Sequence, residues 1–437
     1  MNDFDSLAEE VRLKVQQCPR AAQAAARKRA HGAPAHTTSG VAVEPRRPAA
    51  SSLSLMMETT SMMTKGAAVA AMGMVAGVAL AQSSVTLYGQ VDVNYQHLRS
   101  GDSSPLAGQS LNRLADGGVT GPGSRWGLRV SEDLGNGLKA NVVLESGFNA
   151  DVGTSAQGGR LFGRQAFVSL VSASAGEIRL GRQYIFHEEV QALNNPFANS
   201  TILNPGAPSV TLPAGVVQMF IDAPRIDNAV QYLSPSVAGL RLQAMVAAGE
   251  GLVDRYHGLK GLYAKGPLNV ALSYEQSKAR VATAGVAAAG DTVNRILELG
   301  GNYNFGAFKL FAGYQRGKDL TPGSSGIITA PSPAGGVGTQ IATLTLPGLA
   351  GPATRLKAYT VGASVPIGAA TVGVNYTRSQ FENAAGADRT LGRVGLGVTY
   401  SLSKLTTVYS AIGVHNGDLK EFVNEKTLFQ VGVRKAF

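Results

Sequence analysis

The amino-acid sequence predicts an all-β fold, a 16-stranded antiparallel transmembrane β-barrel, and three observations carry that prediction. Only 16% of the 437 residues are charged, against about 25% in ordinary soluble proteins. After residue 82, apolar residues alternate with small or polar ones almost throughout, the period of strands with one wet and one dry face. Tight turns interleave with longer connections, the two-sided asymmetry of a barrel whose strands cross a membrane.

Residues 1–61 precede that pattern and do not share it. "AAQAAARKRAHGAPAH" and "VAVEPRRPAASS" are rich in Ala, Pro and Arg without an amphipathic period. They read as a disordered leader or an over-extended start, with Met56, Met57, Met62 and Met63 as alternative starts. Residues 62–81 read as a signal peptide. Lys65 precedes the uncharged run Gly66–Ala81, which at 16 residues of mostly Ala and Gly is short of the ~20 apolar residues of a spanning helix. Ala79 and Ala81 flank Leu80 in the small-x-small cleavage pattern, so the exported chain starts near Gln82. That chain holds 30 basic and 23 acidic residues, a net of +7, and no cysteine, since Cys18 lies upstream. Disulfides and thiol chemistry are excluded from it.

The barrel is expected over residues 82–437. In "SSVTLYGQVDVNY", Val85, Leu87, Val91, Val93 and Tyr95 alternate with Tyr88, Gln90, Asp92 and Asn94. The first set would meet lipid or a neighbouring subunit, the second a watery lumen. Similar alternation marks "LKANVVLESGF" (138–148), "LNVALSYEQS" (268–277), "RVGLGVTYS" (393–401) and "TLFQVGVRKAF" (427–437). Segments of 8 to 13 residues suit tilted membrane strands of about 9–11 residues better than the shorter strands of a sandwich. Seven tight turns, near 134–137, 172–176, 234–239, 264–267, 304–306, 366–368 and 401–404, alternate with eight longer connections. These lie near 98–123, 149–158, 185–227, 249–254, 278–292, 318–354, 381–388 and 416–425. An even strand count with both chain ends on the tight-turn side follows. Because a closed barrel pairs every backbone group without long apolar runs, a mean hydropathy of +0.03 is compatible with a membrane protein. Tyr95, Tyr376, Tyr400 and Phe429 fall toward strand ends, where interfacial aromatics belong.

Six stretches, "SSVTLYGQVDV", "GSRWGLRVSEDLGNGLKANVVLESGF", "LFGRQAFVSL", "EIRLGRQY", "DNAVQYLSPSVAGL" and the terminal "VGVRKAF", resemble the trimeric general porins of Gram-negative outer membranes, especially the beta-proteobacterial type. The resemblance covers essentially the whole exported chain and none of residues 1–61. It implies a homotrimer in the outer membrane, contacting lipid and lipopolysaccharide and passing small hydrophilic solutes and ions by passive diffusion. It also implies a third external loop folded into the barrel, with acids facing wall arginines across a constriction. The third connection here, 185–227, is the longest and carries Glu188, Glu189, Asp222 and Asp227. Arg125 and Arg164 match the wall arginines, and Arg225 stands just before "DNAVQY". Alternation independently turns Arg125 and Arg129 inward, since Trp126, Leu128 and Val130 take the other face. Arg179, between Ile178 and Leu180, is luminal by the same count, whereas Arg182 has the wrong parity unless a bulge intervenes. Asn194 and Asn195 stand where an acid is common in the family. Fewer loop acids and the positive net charge favour weak anion selectivity. Phe437 is the terminal aromatic that would engage the barrel-assembly machinery. Gly163, Gln165 and Ser169 are read as outward-facing residues suited to a subunit interface.

No catalytic, cofactor or metal constellation stands out, so neither an enzyme nor a cofactor is expected. His97, His187, His257 and His415 lack metal-ligand spacing. "GDSS" at 101–104 lies in a polar loop without a strand-to-helix elbow. Basic residues are dispersed, which disfavours nucleic acid. The alternatives to a general diffusion channel are a channel selective for one solute class and, behind it, a barrel enzyme.

Overall fold

The structure, a computed structural model, describes residues 83–118, 123–197, 210–212, 215–217, 219–221, 225–248, 255–278, 293–320 and 346–437. The leader and signal peptide expected over residues 1–81 lie outside these residues. The remaining chain folds as a closed antiparallel barrel of sixteen strands. They are β1 (Ser84–Arg99), β2 in two pieces (Ser110–Asp116 and Arg125–Gly135), β3 (Leu138–Asn149), β4 (Gln165–Ser172), β5 (Gly176–Tyr184), β6 (Arg225–Leu233), β7 (Leu240–Ala247) and β8 (Arg255–Lys265). The second half is β9 (Leu268–Lys278), β10 (Val293–Asn304), β11 (Lys309–Lys318), β12 (Ala353–Ile367), β13 (Ala370–Asn383), β14 (Asp388–Ser401), β15 (Thr406–Asn416) and β16 (Thr427–Ala436). Each strand pairs with the next in sequence, and β16 returns to β1 with Gln90 opposite Ala436 and Arg99 opposite Thr427.

Closure is completed by the last residue. Phe437 and Gly89 exchange both backbone hydrogen bonds, each at 3.0 Å. The Phe437 ring lies over Gly89 so closely that a Cβ there would stand 2.5 Å from it. The same Cβ would stand 2.7 Å from the backbone carbonyl oxygen of Arg125, so the seam requires glycine at 89. Among the described residues the barrel wall has no open edge, which removes the unpaired backbone groups that lipid would penalise.

Two connections differ from their expected form. The stretch 98–123 is not one loop, because Ser110–Asp116 pairs with β1 from Arg99 down to Val93. The ladder then resumes at Gln90 opposite Arg125, so β2 is one strand interrupted by residues 117–124. Asp116 holds the interruption: its carboxylate accepts from the backbone N–H of Ser124 at 3.0 Å and of Ala150 at 3.1 Å. Near 381–388, β13 and β14 extend further than expected and leave only residues 384–387 between them.

The two faces of the wall follow the alternation. Val85 is 67% exposed and Leu87 60%, while Asp92 is fully buried and Gln90, Asn94 and Gln96 nearly so. One reading of the faces is reversed. Ser169 is buried opposite Asn141 and Arg179, and the outward residues of β4 are Val168 and Leu170. Gln165 shares the inner parity of Ser169, so Gly163, Gln165 and Ser169 do not form an outward patch. The parity of β4 is set by its pairing with β3 and β5, and a one-residue slip in that register moves every side chain to the other face.

The lumen is also less uniformly wet than its polar strands suggest. Inward-facing Met245, Ile296, Leu356, Phe381 and Leu391 form a buried cluster with Ile185, Phe186 and Met219–Ile221 of the long β5–β6 connection. That connection carries a short helix, α1 (Phe186–Gln191), where no helix was expected. It also carries a two-stranded ladder, Val210–Leu212 with Gly215–Val217. Burying these apolar side chains offsets the conformational entropy lost when residues 185–191 and 219–221 are fixed against the wall.

Candidate functional site: a charged recess in the lumen

The site is built on β1, β2 and β3, whose inner faces register Gln90 with Arg125 and Gly127 with Glu145. Arg125, Gly127 and Arg129 share one face of β2. Gly127 clears the space that the Tyr88 ring fills, since a Cβ there would lie 2.8 Å from the phenol. Tyr88 in turn donates its hydroxyl hydrogen to Glu145 Oε2 at 2.9 Å, and the Arg129 guanidinium stacks 4.1 Å from the ring centroid.

Glu145 is the hub of this wall. Arg164 Nε donates to its Oε1 at 2.7 Å, and Arg125 Nε lies 3.5 Å from its Oε2. Arg164 stands one residue before β4, where its backbone N–H donates to the carbonyl of Glu145 at 3.1 Å. Its other arm donates to the Tyr184 hydroxyl at 2.5 Å, and Arg225 Nη2 donates to the same oxygen at 3.0 Å. The Arg225 guanidinium also lies 4.6 Å from the Tyr184 ring centroid. A carboxylate and a phenol thus hold guanidinium groups that would otherwise repel one another at short range.

Facing this wall is the first turn of α1. Glu188 and Glu189 join Arg125, Arg129, Arg164 and Glu145 in lining a recess of about 290 Å³. Glu189 is paired with Lys260 of β8, whose Nζ sits 5.1 Å from the Phe186 ring centroid. The remaining sequence-read residues are elsewhere. Arg179 pairs with Glu177 at 2.7 Å and lies 5.2 Å from the Phe167 ring centroid, outside the recess. Asp227 belongs to β6, not to the connection. It is bracketed by Arg160 at 2.8 Å and Arg182 at 2.5 Å, beside a bulge at which the β5–β6 register shifts between Ile226 and Ala229. Asp222 lies outside the described residues.

The connection is held by the opposite inner wall. Glu275 accepts from the Tyr256 hydroxyl at 2.8 Å and lies 3.0 Å from His187 Nδ1. Glu298 receives amide donors from Gln191, Asn194 and Gln315 at 3.4, 3.3 and 2.7 Å. Asparagine at 194 now has a physical reason: a carboxylate there would confront Glu298 in a buried site. Inner-face glycines open the track for the chain. A Cβ at Gly258 would meet Phe186 at 3.1 Å, at Gly300 Val190 at 2.8 Å, at Gly313 Asn194 at 2.5 Å, at Gly362 Pro196 at 3.2 Å and at Gly373 Phe197 at 2.7 Å.

Sequence reasoning missed Glu145, Tyr88, Tyr184 and Lys260 as partners. The parity of β3 could have revealed Glu145, because Leu144 faces outward beside it. Nothing local marks Lys260, whose role depends on where α1 comes to rest.

Residues 67–419 match the family model described as Gram-negative porin. An outer membrane porin protein of Bordetella pertussis is 34% identical over 390 residues, covering 83% of this chain and 96% of that protein. Outer membrane porin protein 32 of Delftia acidovorans is 30% identical over 388 residues, with the same coverage of each. Among solved structures, an anion-selective porin from Comamonas acidovorans superposes with a TM-score of 0.62 at 27% identity, covering 82% of this chain and 100% of its own. With a closed sixteen-stranded wall and these relatives, the chain belongs to the Gram-negative porin family and is an outer-membrane porin.

Proposed function

We propose that the protein is a general diffusion channel with weak anion preference, its constriction formed between the arginine wall and α1. The observation that carries this reading is the recess itself. Arg125, Arg129 and Arg164 face Glu188 and Glu189, with Glu145 among the arginines and Lys260 beside Glu189. Cations exceed anions here by a single charge. Opposed rows of charge set a field across the slot that orients polar solutes, while the small excess biases ion permeation only slightly. Arginine suits the wall because it does not titrate and its fork matches carboxylate and phosphate oxygens.

The native assembly is a homotrimer in this reading. On the outer face of β1 and β2, Asn112 Oδ1 accepts from the Tyr95 hydroxyl at 2.9 Å and lies 2.7 Å from His97 Nδ1. These exposed polar groups favour cover by a neighbouring subunit over hydrocarbon. The outer leaflet's lipopolysaccharide would surround the trimer. Phe437, the residue that closes the seam, would be the signal read by the barrel-assembly machinery.

Single-channel recording of the refolded chain from Gln82 in a planar bilayer, with a salt gradient, tests the proposal. Conductance steps in groups of three with a reversal potential of anionic sign are expected. A cation-selective reversal potential would overturn the arginine reading, and saturable block by one solute among several of equal size would replace general diffusion with a selective channel.

A further inference from the structure

The outer wall holds a second, unrelated feature, an apolar dent across β9–β12. In the ladder, Val270, Gly301, Ala312 and Val361 form one row of register partners. The row on one side is Leu272, Leu299, Tyr314 and Tyr359, and the row on the other starts Leu268, Tyr303 and Leu310. Two adjacent small residues therefore form a floor ringed by large side chains. Gly301 cannot be enlarged, because a Cβ would lie 2.5 Å from the carbonyl oxygen of Asn269. The dent encloses about 630 Å³. No residue of 185–197 lines it, and Leu299, Tyr303, Leu310, Tyr314 and Tyr359 are exposed, so it opens away from the lumen.

We propose that this dent is a binding site for one glycerophospholipid of the periplasmic leaflet, with an acyl chain on the Gly301–Ala312 floor and the phosphate at Lys265. The depth fits that leaflet. The tight turns 266–267 and 305–308 bound this part of the wall, and tight turns are the periplasmic side of such barrels. Tyr303, Phe305 and Phe308 cluster there, with centroids 4.5 and 4.7 Å apart and the two phenylalanine rings stacked, the aromatic level at which headgroups begin. Lys265 is opposite Leu268, which is opposite Tyr303, so a cation stands at that level within two strands of the dent. It is exposed, and it complements a lipid phosphate.

Hydrophobicity does not distinguish the dent from bulk lipid, since the tails are as apolar as the wall. Selection comes from contact. A chain seated between Leu299, Tyr314 and Tyr359 on one side and Tyr303 and Leu310 on the other gains dispersion contacts on several sides, and an unfilled dent forfeits them. Lys265 adds a preference for anionic headgroups at the membrane surface.

Native mass spectrometry of the assembled porin, extracted in mild detergent and incubated with phosphatidylglycerol or phosphatidylethanolamine, tests the assignment. Wild-type protein is expected to retain one phosphatidylglycerol per barrel. Ala312→Phe, which fills the dent from the lipid side, should lower retention about tenfold while leaving conductance unchanged, the control that the barrel has folded. Lys265→Gln should lower retention of phosphatidylglycerol more than that of phosphatidylethanolamine. Equal retention by wild type and Ala312→Phe would overturn the site. Displacement of the retained phospholipid by lipopolysaccharide would overturn its assignment to the periplasmic leaflet, and an unchanged lipid preference in Lys265→Gln would overturn the role of the lysine.

Discussion

The two halves of the lumenal wall do opposite things with their inward positions. On β1–β3 those positions carry Tyr88, Arg125, Arg129 and Glu145, bulky groups that reach into the channel. On β8–β13 they include Gly258, Gly300, Gly313, Gly362 and Gly373, and the space they leave is taken by residues 186–197. In the proposed channel the constriction is specified twice, by charged side chains on one wall and, on the other, by glycines that leave room for residues 186–197. The charged wall sets the chemistry, and the bare wall sets where the facing acids come to rest.

Glu145 is the change with the largest expected effect. Removing the carboxylate leaves Arg164, only 5% exposed in its side chain, without its ionic partner and close to Arg125. Breaking a buried pair in this way costs about 3–5 kcal/mol. Glu145→Ala should accordingly lower the denaturation midpoint of the folded barrel, followed by its heat-dependent electrophoretic mobility, and raise anion preference in the bilayer. If stability held and selectivity did not move, the arginines would not depend on this acid, and the contrast between the walls would lose its charged half.

The bare wall is tested next. Gly313→Val would set a Cβ 2.5 Å from Asn194 Nδ2 and 2.9 Å from its Cβ, and overpacking of this kind costs about 1–3 kcal/mol. The barrel itself should still form, since the ladder is untouched, but α1 and Asn194 lose their seat. Single-channel conductance should change and its open-state noise rise, with the unseated population increasing roughly five- to a hundred-and-fiftyfold. Wild-type conductance in Gly313→Val would show that the chain does not rest on this track.

These two predictions also mark how much the sequence disclosed. Period-two alternation and the interleaving of tight turns with longer connections are local signals; together they placed the barrel and the strand count, and the alternation gave the inward parity of Arg125, Arg129 and Arg179. Lengths at strand ends were less legible, as Ser110–Asp116 shows: its pairing with β1 is a tertiary contact that a polar, turn-rich stretch does not announce. The site was half legible. Arginines could be found by parity and by resemblance, and Glu145 by the parity of β3, but its role as their hub depends on the register across β1–β4, while Lys260 as the partner of Glu189 and Asn194 as a donor to Glu298 depend on where residues 185–197 lie in three dimensions. The inner glycines were in plain view, yet glycine in a strand has several causes, and only the loop resting on them gives this set a common one.

A smaller effect separates charge from architecture on the first wall. Arg129 stacks on Tyr88 and, among the described residues, has no carboxylate partner. Arg129→Gln should lose no more than the ~0.5–1 kcal/mol of an exposed cation–π contact, so the barrel remains intact. One charge acting on a permeating anion about 7 Å away in water contributes roughly 0.6 kcal/mol, and anion permeability should fall about two- to threefold. A larger fall accompanied by lost stability would mean that Arg129 is structural, like Arg164.

The smallest effect lies outside both walls, where the first and last external loops meet above the seam. Gly101 N–H donates to the Val423 carbonyl at 2.9 Å and Ser103 N–H to the Glu421 carbonyl at 2.8 Å. The Glu421 carboxylate accepts from Lys426 Nζ at 2.8 Å and from the Asp102 N–H at 3.3 Å. The hydrogen bond from Lys426 is the main cause that holds the Glu421 carboxyl below its ordinary value. A depressed folded value means that the contribution is fully present above the unfolded carboxylate range, near 4.3, and is lost as pH falls through the lower folded value. The Glu421 side chain is 32% exposed at the rim of the barrel, so the effect stays close to that of a surface pair. Relative to the unstructured chain at the same pH, amide exchange at Asp102 should therefore accelerate only under acid conditions, and Glu421→Gln should remove that pH dependence while leaving exchange at Gly101 slow. Equal acceleration at Gly101 would show that the two loops separate as a unit, with the backbone bonds depending on the carboxylate and not the reverse.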